Sequence, residues 1–425
     1  MKLLISEHSN IYGSVNISGA KNSAVAIIPA ATLTNKKVTL QNIPNIKDVE
    51  LLIKTLNHQG FKTTFINNTL TIKRKLFIKK TFNKFIDKLR GSYYFIGAFI
   101  SKYKKINFGE YGGCNLGDRP INYHLNAFKE KGIIITQTNK YLKFKSRKIK
   151  DAIITLPFQS VGATINLLLS SVISNKTTII NNASIEPEVI DVGNFLITMG
   201  ANITNLGTKT ITIHGVKKLK GCTYKIIPDR IEAATYLSIG ALTSHQGLTI
   251  NSVNFYHLFT PLLYFKKIGC KLEFKPNSIT IFKPKIIKSV DIKTGVYPLF
   301  PTDLNPIFCA LLLNADGIST ITETIYKERT SHINELKKLG ATLETIQTSD
   351  NLITKIFPSL LHQSNLSSHD LRCAASLLVA SFHLNSCITI SNIDYLLRGY
   401  EDPISKLKNI GIHTSLINES WHNAK

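Results

Sequence analysis

Six stretches of this 425-residue chain bring a helix to a glycine and then alternate apolar with polar residues: "LNHQGFKTTFINNTLTIK", "FKEKGIIITQTNKYLKFK", "LITMGANITNLGTKTITIHG", "FKKIGCKLEFKPNSITIF", "LKKLGATLETIQTSDNLITKIF" and "LKNIGIHTSLINES". The glycines are Gly60, Gly132, Gly200, Gly269, Gly340 and Gly411, and subtracting neighbours gives 72, 68, 69, 71 and 71. So regular a period means six copies of one structural repeat. Each repeat also holds a helix of small and apolar residues, such as "SGAKNSAVAIIPAATL", "SVGATINLLLSSVIS" and "DLRCAASLLVASF". A helix apolar nearly all round must be buried. A strand follows it ("KVTLQNI", "TTIINNA", "LTINSV", "STITET", "CITISNI"), then an amphipathic helix ending at the marker glycine, then a hairpin. The repeat is therefore βαβαββ-like. Six repeats exceed one core, so the chain divides into two α/β lobes of three: residues 21–228, and residues 1–20 with 229–425.

The net charge of +25 points first to nucleic acid or an anionic surface. The lysines, however, are scattered among Ile and Asn ("IKRKLFIKKTFNKFIDK", "FKSRKIKD", "FKPKIIKS"), with no RNA-binding signature and no zinc finger, so no nucleic-acid partner is expected. Apolar runs such as "INLLLSSVI" are too short to span a bilayer, and "MKLLISEHSN" lacks a signal-peptide core. A cytoplasmic protein without membrane attachment is expected. The six cysteines (114, 222, 270, 309, 373, 387) show neither CxxC pairs nor metal-ligand spacing, so no metal and no disulfide is expected. Five sit beside apolar residues and read as small core residues.

Cys114 differs. In "GEYGGCNLGDRP" it stands among glycines with no apolar face to bury it, and Arg119 follows five residues later. A thiol on such a loop is accessible, and a guanidinium nearby favours its thiolate. Polar residues also recur where the first helix of each repeat begins: Lys21, Arg90, Ser160, Asp229 with Arg230, Asp303 and Arg372. Helix N-termini favour anions, so a phosphorylated ligand is expected, with a cleft between lobes as the default place for it.

With "SGAKNSA", "GGCNLGDRP", "PFQSVGAT", "EPEVID", "PDRIE", "FPTDL", "ITET", "DLR" and "RGYE" in this order, the chain resembles the enolpyruvyl transferases from near Met1 to about Leu416. The resemblance implies a two-lobed inside-out α/β barrel of six βαβαββ-like repeats, a monomer that needs no cofactor. It also implies transfer of the enolpyruvyl group of phosphoenolpyruvate to the 3′-hydroxyl of UDP-N-acetylglucosamine, through a tetrahedral ketal, in peptidoglycan synthesis. By motif, Cys114 matches the family's loop cysteine, which acts at C3 as proton donor or at C2 as a transient covalent partner and is the residue fosfomycin alkylates. Asp303 matches the candidate general base at the 3′-hydroxyl. Lys21, Arg119 and Arg398 match the cations around phosphate and carboxylate, with Lys21 counted among the catalytic residues, and Asn22 matches a hydrogen-bonding partner of the intermediate. Arg90, the run Arg119, Pro120, Ile121, Asn122 and Tyr123, the run Phe158, Gln159, Ser160 and Val161, together with Ile325 and Arg372, match substrate contacts. His124, Asp48, Glu186, Glu188, Asp229 and Glu232 read as scaffold.

Three departures stand out. Phe158 replaces a lysine that some members carry, Asn122 and Tyr123 replace Asp-Leu, and "RTSH" at 329–332 replaces a more apolar form. They bear on nucleotide affinity. The nearest alternative is the shikimate-pathway branch, against which "GAKN" and the cysteine loop argue. An inactive or nucleic-acid-binding scaffold is the other, against which the joint presence of Lys21, Cys114, Asp303 and Arg398 argues.

Overall fold

All six marker glycines adopt the left-handed conformation, with φ between 85° and 101°, in the computed structural model, which describes residues 1–6, 11–109, 121–146 and 149–417. Each ends a helix by the same device. The glycine N–H donates to the carbonyl three residues back, as from Gly200 to Ile197 (2.8 Å), and in four repeats the following N–H reaches five back, as from Ala201 to Leu196 (3.0 Å). These bonds satisfy carbonyls that a helix end leaves open.

Each repeat contributes two helices. In chain order these are α1 (Lys21–Ala30) and α2 (Lys47–Gln59), α3 (Tyr94–Tyr103) and α4 (Asn122–Glu130), α5 (Val161–Ser171) and α6 (Pro187–Thr198), α7 (Arg230–Thr243) and α8 (Phe259–Lys267), α9 (Asn305–Leu311) and α10 (Ser331–Lys338), α11 (Leu371–Ala380) and α12 (Pro403–Asn409). The first of each pair is buried nearly all round, to the point that every residue of α7 is inside. Their small polar residues do not obstruct this, because they bond back into their own helix: Thr164 to the Ser160 carbonyl (2.8 Å), Ser238 to Ala234 (2.9 Å), Thr243 to Ile239 (2.7 Å). Small residues also bring helices close. A Cβ on Gly97 of α3 would fall 2.7 Å from the Asn166 carbonyl of α5, and the Gly97 N–H instead donates to the Asn166 side chain at 3.1 Å.

The strands form six four-stranded sheets among the described residues, all with one plan. In the fifth repeat the edge strand Asp291–Lys293 runs parallel to Ser319–Glu323, which pairs antiparallel with Leu352–Ile356, itself paired with Leu343–Gln347. The expected "INNTLTI" hairpin turns on Asn67 and Asn68, both left-handed. The inside-out α/β architecture holds, with one qualification: the sheets remain separate, and no strand pairing closes a barrel among the described residues.

Contacts group the chain into two compact lobes, Gly19–Ile227 and Met1–Ser18 with Pro228–Lys425. Three short strands give this division its topology. Gly13–Asn16 lies ahead of α1 in sequence but pairs with Leu248–Asn251, whereas Thr223–Lys225 lies ahead of α7 but pairs with Val38–Gln41. The first strand, Lys2–Ile5, sits between Ile388–Ser391 and Thr414–Ile417 and completes the sixth repeat's sheet.

The cysteine expectation needs correcting. Cys270, Cys309 and Cys373 are buried, but Cys222 is only half-buried and Cys387 is exposed. Cys387 directly precedes the strand Ile388–Ser391, so its apolar neighbours turn inward from the next residue on while it remains in the entering turn. Among the described residues no helix is long and apolar enough to cross a membrane, and no cluster of His, Cys, Asp or Glu is arranged to hold a metal.

Candidate active site

In the lobe Gly19–Ile227, Lys21 is the first residue of α1. A cation there opposes the helix dipole, so something must hold it. Asp48, buried in the first turn of α2, does so: its Oδ2 lies 2.7 Å from Lys21 Nζ. Asn22 follows, half-buried. Helix α1 also packs against the 3-10 turn Arg90–Tyr93, where a Cβ on Gly91 would come 3.2 Å from Val25 in the second turn of the helix.

Behind Arg90 is a buried polar group centred on His124. Asn166 Nδ2 lies 2.9 Å from His124 Nδ1, and Tyr93 meets the imidazole edge-on with ring centres 4.9 Å apart. Burial, followed by the charge of Arg90, lowers the His124 pKa to about 3, so the ring is neutral at physiological pH. Gly162 is required here, because a Cβ would fall 2.7 Å from the Tyr93 hydroxyl and 2.8 Å from His124 Cε1. Ser160 caps α5 by accepting the Ala163 N–H at 3.3 Å, between half-buried Gln159 and Val161, and Phe158 is 40% exposed. Ile121 is buried at the start of α4, while Asn122 and Tyr123 face solvent. Cys114, Arg119 and Pro120 lie outside the described residues.

In the other lobe Asp303 occupies the short turn Thr302–Leu304 ahead of α9. Its two oxygens are divided between two guanidinium groups: Oδ1 lies 2.8 Å from Arg329 Nη1, and Oδ2 lies 2.6 Å from Arg372 Nη2. Burial alone would raise its pKa, but Arg372 and Arg329 outweigh burial and hold the carboxyl well below the usual carboxylate range. Arg372 projects from the first turn of α11, which Asp370 caps through the Arg372 and Cys373 N–H groups (2.7 and 3.0 Å). Arg398 ends the turn Ile393–Arg398, half-buried, and α11 packs on that turn.

Two residues that sequence reasoning passed over hold this arrangement. Arg329, within the segment noted only as a departure, is 3% exposed and also donates to the Thr302 carbonyl at 2.7 Å. Glu323, the carboxylate of "ITET", is buried and accepts from Thr294, Thr302, Asn305 and the N–H groups of Ile325 and Tyr326, all within 3.0 Å. It thereby ties the Ile325 turn to the Asp303 turn. A carboxylate at an inward position of the strand, in register with buried Ser319 and Ile321, is the signal that could have revealed it.

Two further carboxylates secure the places where the chain passes between lobes. Glu232 accepts the Ser18 N–H at 2.9 Å and is paired with Lys406 at 2.5 Å. Asp191 accepts the Tyr224 hydroxyl at 2.6 Å and the Ile227 N–H at 3.3 Å. Asp229 caps α7 through the Ile231 and Glu232 N–H groups.

A family model described as EPSP synthase (3-phosphoshikimate 1-carboxyvinyltransferase) matches residues 5–407. UDP-N-acetylglucosamine 1-carboxyvinyltransferase 2 of Staphylococcus aureus (strain MRSA252) is 41% identical over 401 residues, 94% of each chain. UDP-N-acetylglucosamine 1-carboxyvinyltransferase 1 of Staphylococcus haemolyticus (strain JCSC1435) is 40% identical over 403 residues, 94% of this chain and 95% of that one. Among solved structures, the enolpyruvyl transferase NikO of Streptomyces tendae superposes with a TM-score of 0.87 at 21% identity, covering 97% of this chain and 98% of that one. The EPSP synthase of Acinetobacter baumannii does so at 0.74 and 16%, covering 98% and 100%; these two likenesses speak to fold alone. By the family match along nearly its whole length and by the identity it keeps with its relatives, this chain belongs to the enolpyruvyl transferase family of EPSP synthase.

Proposed function

We propose that this chain transfers the enolpyruvyl group of phosphoenolpyruvate to the 3′-hydroxyl of UDP-N-acetylglucosamine, releasing phosphate, as the committing step of peptidoglycan synthesis. One observation carries the choice of acceptor: 41% identity over 94% of the chain to proteins named for that reaction, against 16% to a solved EPSP synthase.

The chemistry divides into addition and elimination. The hydroxyl attacks C2 as its proton leaves to a base and C3 gains a proton; the ketal then loses the C3 proton and phosphate together. Asp303 is the proposed base. Held by both arginines it is ionised but weakly basic, so it accepts a proton only when a substrate anion draws one guanidinium away. In this reading Arg329 and Arg372 alternate between the carboxylate and the substrate. Cys114 donates to C3. Lys21, Arg119 and Arg398 neutralise phosphate and carboxylate, and Asn22 bonds the ketal. Arg90, the run 119–123, the run 158–161 and Ile325 contact the UDP-sugar, with the stacking surface of Phe158 and Tyr123 standing where other members carry charge or aliphatic side chains.

The test is phosphate release from phosphoenolpyruvate with UDP-N-acetylglucosamine and with shikimate 3-phosphate offered separately. Release with the UDP-sugar alone is expected. Release with shikimate 3-phosphate alone moves the chain to the other branch, and release with neither removes the activity.

A further inference from the structure

One surface feature has no part in enolpyruvyl transfer. The loop between the strands Thr69–Arg74 and Thr81–Phe82 belongs to the segment "KRKLFIKK" at 73–80, and at its tip Leu76 is 90% and Phe77 88% exposed. Leu76 and Phe77 together form an exposed apolar patch, and contiguous apolar patches are used at interaction surfaces. The loop is tied down. Lys75 N–H donates to the Gly60 carbonyl at 3.0 Å and Lys79 N–H to the Gln59 carbonyl at 2.9 Å, while the Phe77 carbonyl lies so close over Gly60 that a Cβ there would approach it to 2.2 Å. The backbone is strapped to the end of α2, and the two side chains are presented outward.

The surroundings are cationic. From 73 to 88, "KRKLFIKKTFNKFIDK" holds seven lysines and arginines and a single acid, Asp87. Among the described residues none of Lys73, Arg74, Lys75, Lys79 and Lys80 pairs with a carboxylate; ion pairs of this lobe such as Lys21–Asp48, Lys54–Glu50 and Lys176–Asp151 lie elsewhere. At the base of the loop Arg74, Lys80 and Lys102 surround the Tyr103 ring at 6.0, 5.9 and 5.4 Å from its centre. The Tyr103 hydroxyl and Arg74 Nε are buried there without a hydrogen-bond partner. Arg74 and Lys80 flank this one ring with no carboxylate beside them, so they repel one another, and an external anion at the surface would relieve them.

We propose that this loop docks the protein on an anionic phospholipid surface, with Leu76 and Phe77 entering the boundary between headgroups and acyl chains and the flanking cations meeting lipid phosphates. Interfacial attachment needs both parts, buried apolar area and attraction to anionic lipid. A single-stranded nucleic acid would stack on Phe77 but leave Leu76 exposed, whereas a bilayer buries both. The attachment is peripheral and reversible, since no described helix can span.

The experiment is flotation of the full chain with vesicles of phosphatidylcholine alone and of phosphatidylcholine mixed equally with phosphatidylglycerol. Binding only to the mixed vesicles is expected. The double variant Leu76→Ser, Phe77→Ser should lower partitioning at least about tenfold, since two buried apolar side chains are lost, and Lys75→Glu with Lys79→Glu should lower it as much. Lys217→Glu with Lys218→Glu, exposed lysines elsewhere on the same lobe, should change it less than about threefold, a bound that admits one weak lysine contact. All variants should keep the wild-type unfolding midpoint and lipid-free turnover. Three results would overturn the proposal: no binding to anionic vesicles, binding indifferent to Leu76 and Phe77, or Phe77-dependent binding to an oligonucleotide that displaces the vesicles.

Discussion

Asp303 is held between Arg329 and Arg372, and these partners set its chemistry. With its proton affinity held down by two cations, it stays ionised far below neutrality, so it cannot be the group that limits kcat/KM on the acid side near neutral pH. Removing one cation with Arg329→Met raises its affinity for a proton, so the Asp303 carboxyl titration, followed by carbon-13 NMR of labelled aspartate, should move to higher pH; a titration that stays put means that Arg329 does not hold the carboxylate. Asp303→Asn keeps the shape but cannot take the hydroxyl proton, so turnover should fall by about 10² to 10⁴ while UDP-sugar binding, measured calorimetrically, persists. For Cys114 the expectation is time-dependent inactivation by fosfomycin, faster with UDP-N-acetylglucosamine present and slowed by phosphoenolpyruvate, with one adduct by intact mass. Because Cys387 is also exposed, the assignment needs Cys387→Ser, which should leave the adduct in place, and Cys114→Asp, which should abolish it. Turnover without any adduct removes Cys114 from the reaction centre. Of this site the sequence made single residues legible, through helix starts and motif order, but not their pairing. Nothing local to "FPTDL" says that Asp303 will meet Arg329 and Arg372, which are 26 and 69 residues away.

At the scale of elements, the glycine that ends each second helix was legible because its physics is local: only a residue without Cβ enters the left-handed region freely. What surrounds each glycine is not local, and two copies in one lobe separate the contributions. A Cβ on Gly200 meets nothing within 4 Å, so Gly200→Ala should lower the unfolding free energy of its lobe by about 1–2 kcal/mol, the conformational cost alone. At Gly60 the same Cβ strikes the Phe77 carbonyl, so Gly60→Ala should cost a further ~1–3 kcal/mol. Equal losses in urea unfolding would mean that the loop gives way freely and is not strapped to α2. A second left-handed position was missed. After the strands Val38–Gln41, Thr177–Asn181, Leu248–Asn251 and Ile388–Ser391 the next residue (Asn42, Asn182, Ser252, Asn392) has φ between 55° and 59°. Two of these asparagines bond back to a carbonyl across the sheet, Asn42 to Ile226 (3.1 Å) and Asn182 to Leu156 (2.7 Å). Asparagine is so common in this chain that its placement carried little signal.

For the whole molecule, chain order and lobe membership part company, and that limits what a repeat count can reveal. A period of about 70 residues identifies six sheets but not which strand fills each edge, since a short strand such as Gly13–Asn16 has the same pattern whichever neighbour it joins. The consequence is an asymmetry between the lobes. The segment Gly19–Ile227 contains every strand of its three sheets, including Thr223–Lys225, and a core of its own. The other lobe takes its sixth sheet's inner strand, Lys2–Ile5, and a fourth-repeat edge strand, Gly13–Asn16, from the far end of the sequence, with Leu3, Ile5 and Val15 buried in its core. Residues 19–227 expressed alone should therefore unfold cooperatively in urea. Residues 228–425 alone should not, because two strands that need the missing one would present unpaired backbone and the core would open at Leu3 and Ile5. Supplying residues 1–18 through a short Gly/Ser linker joined to Pro228 should restore a cooperative transition and slow amide exchange in Ile388–Ser391 and Thr414–Ile417. A 228–425 fragment that unfolds cooperatively without them would mean that the first strand decorates this lobe and does not complete it.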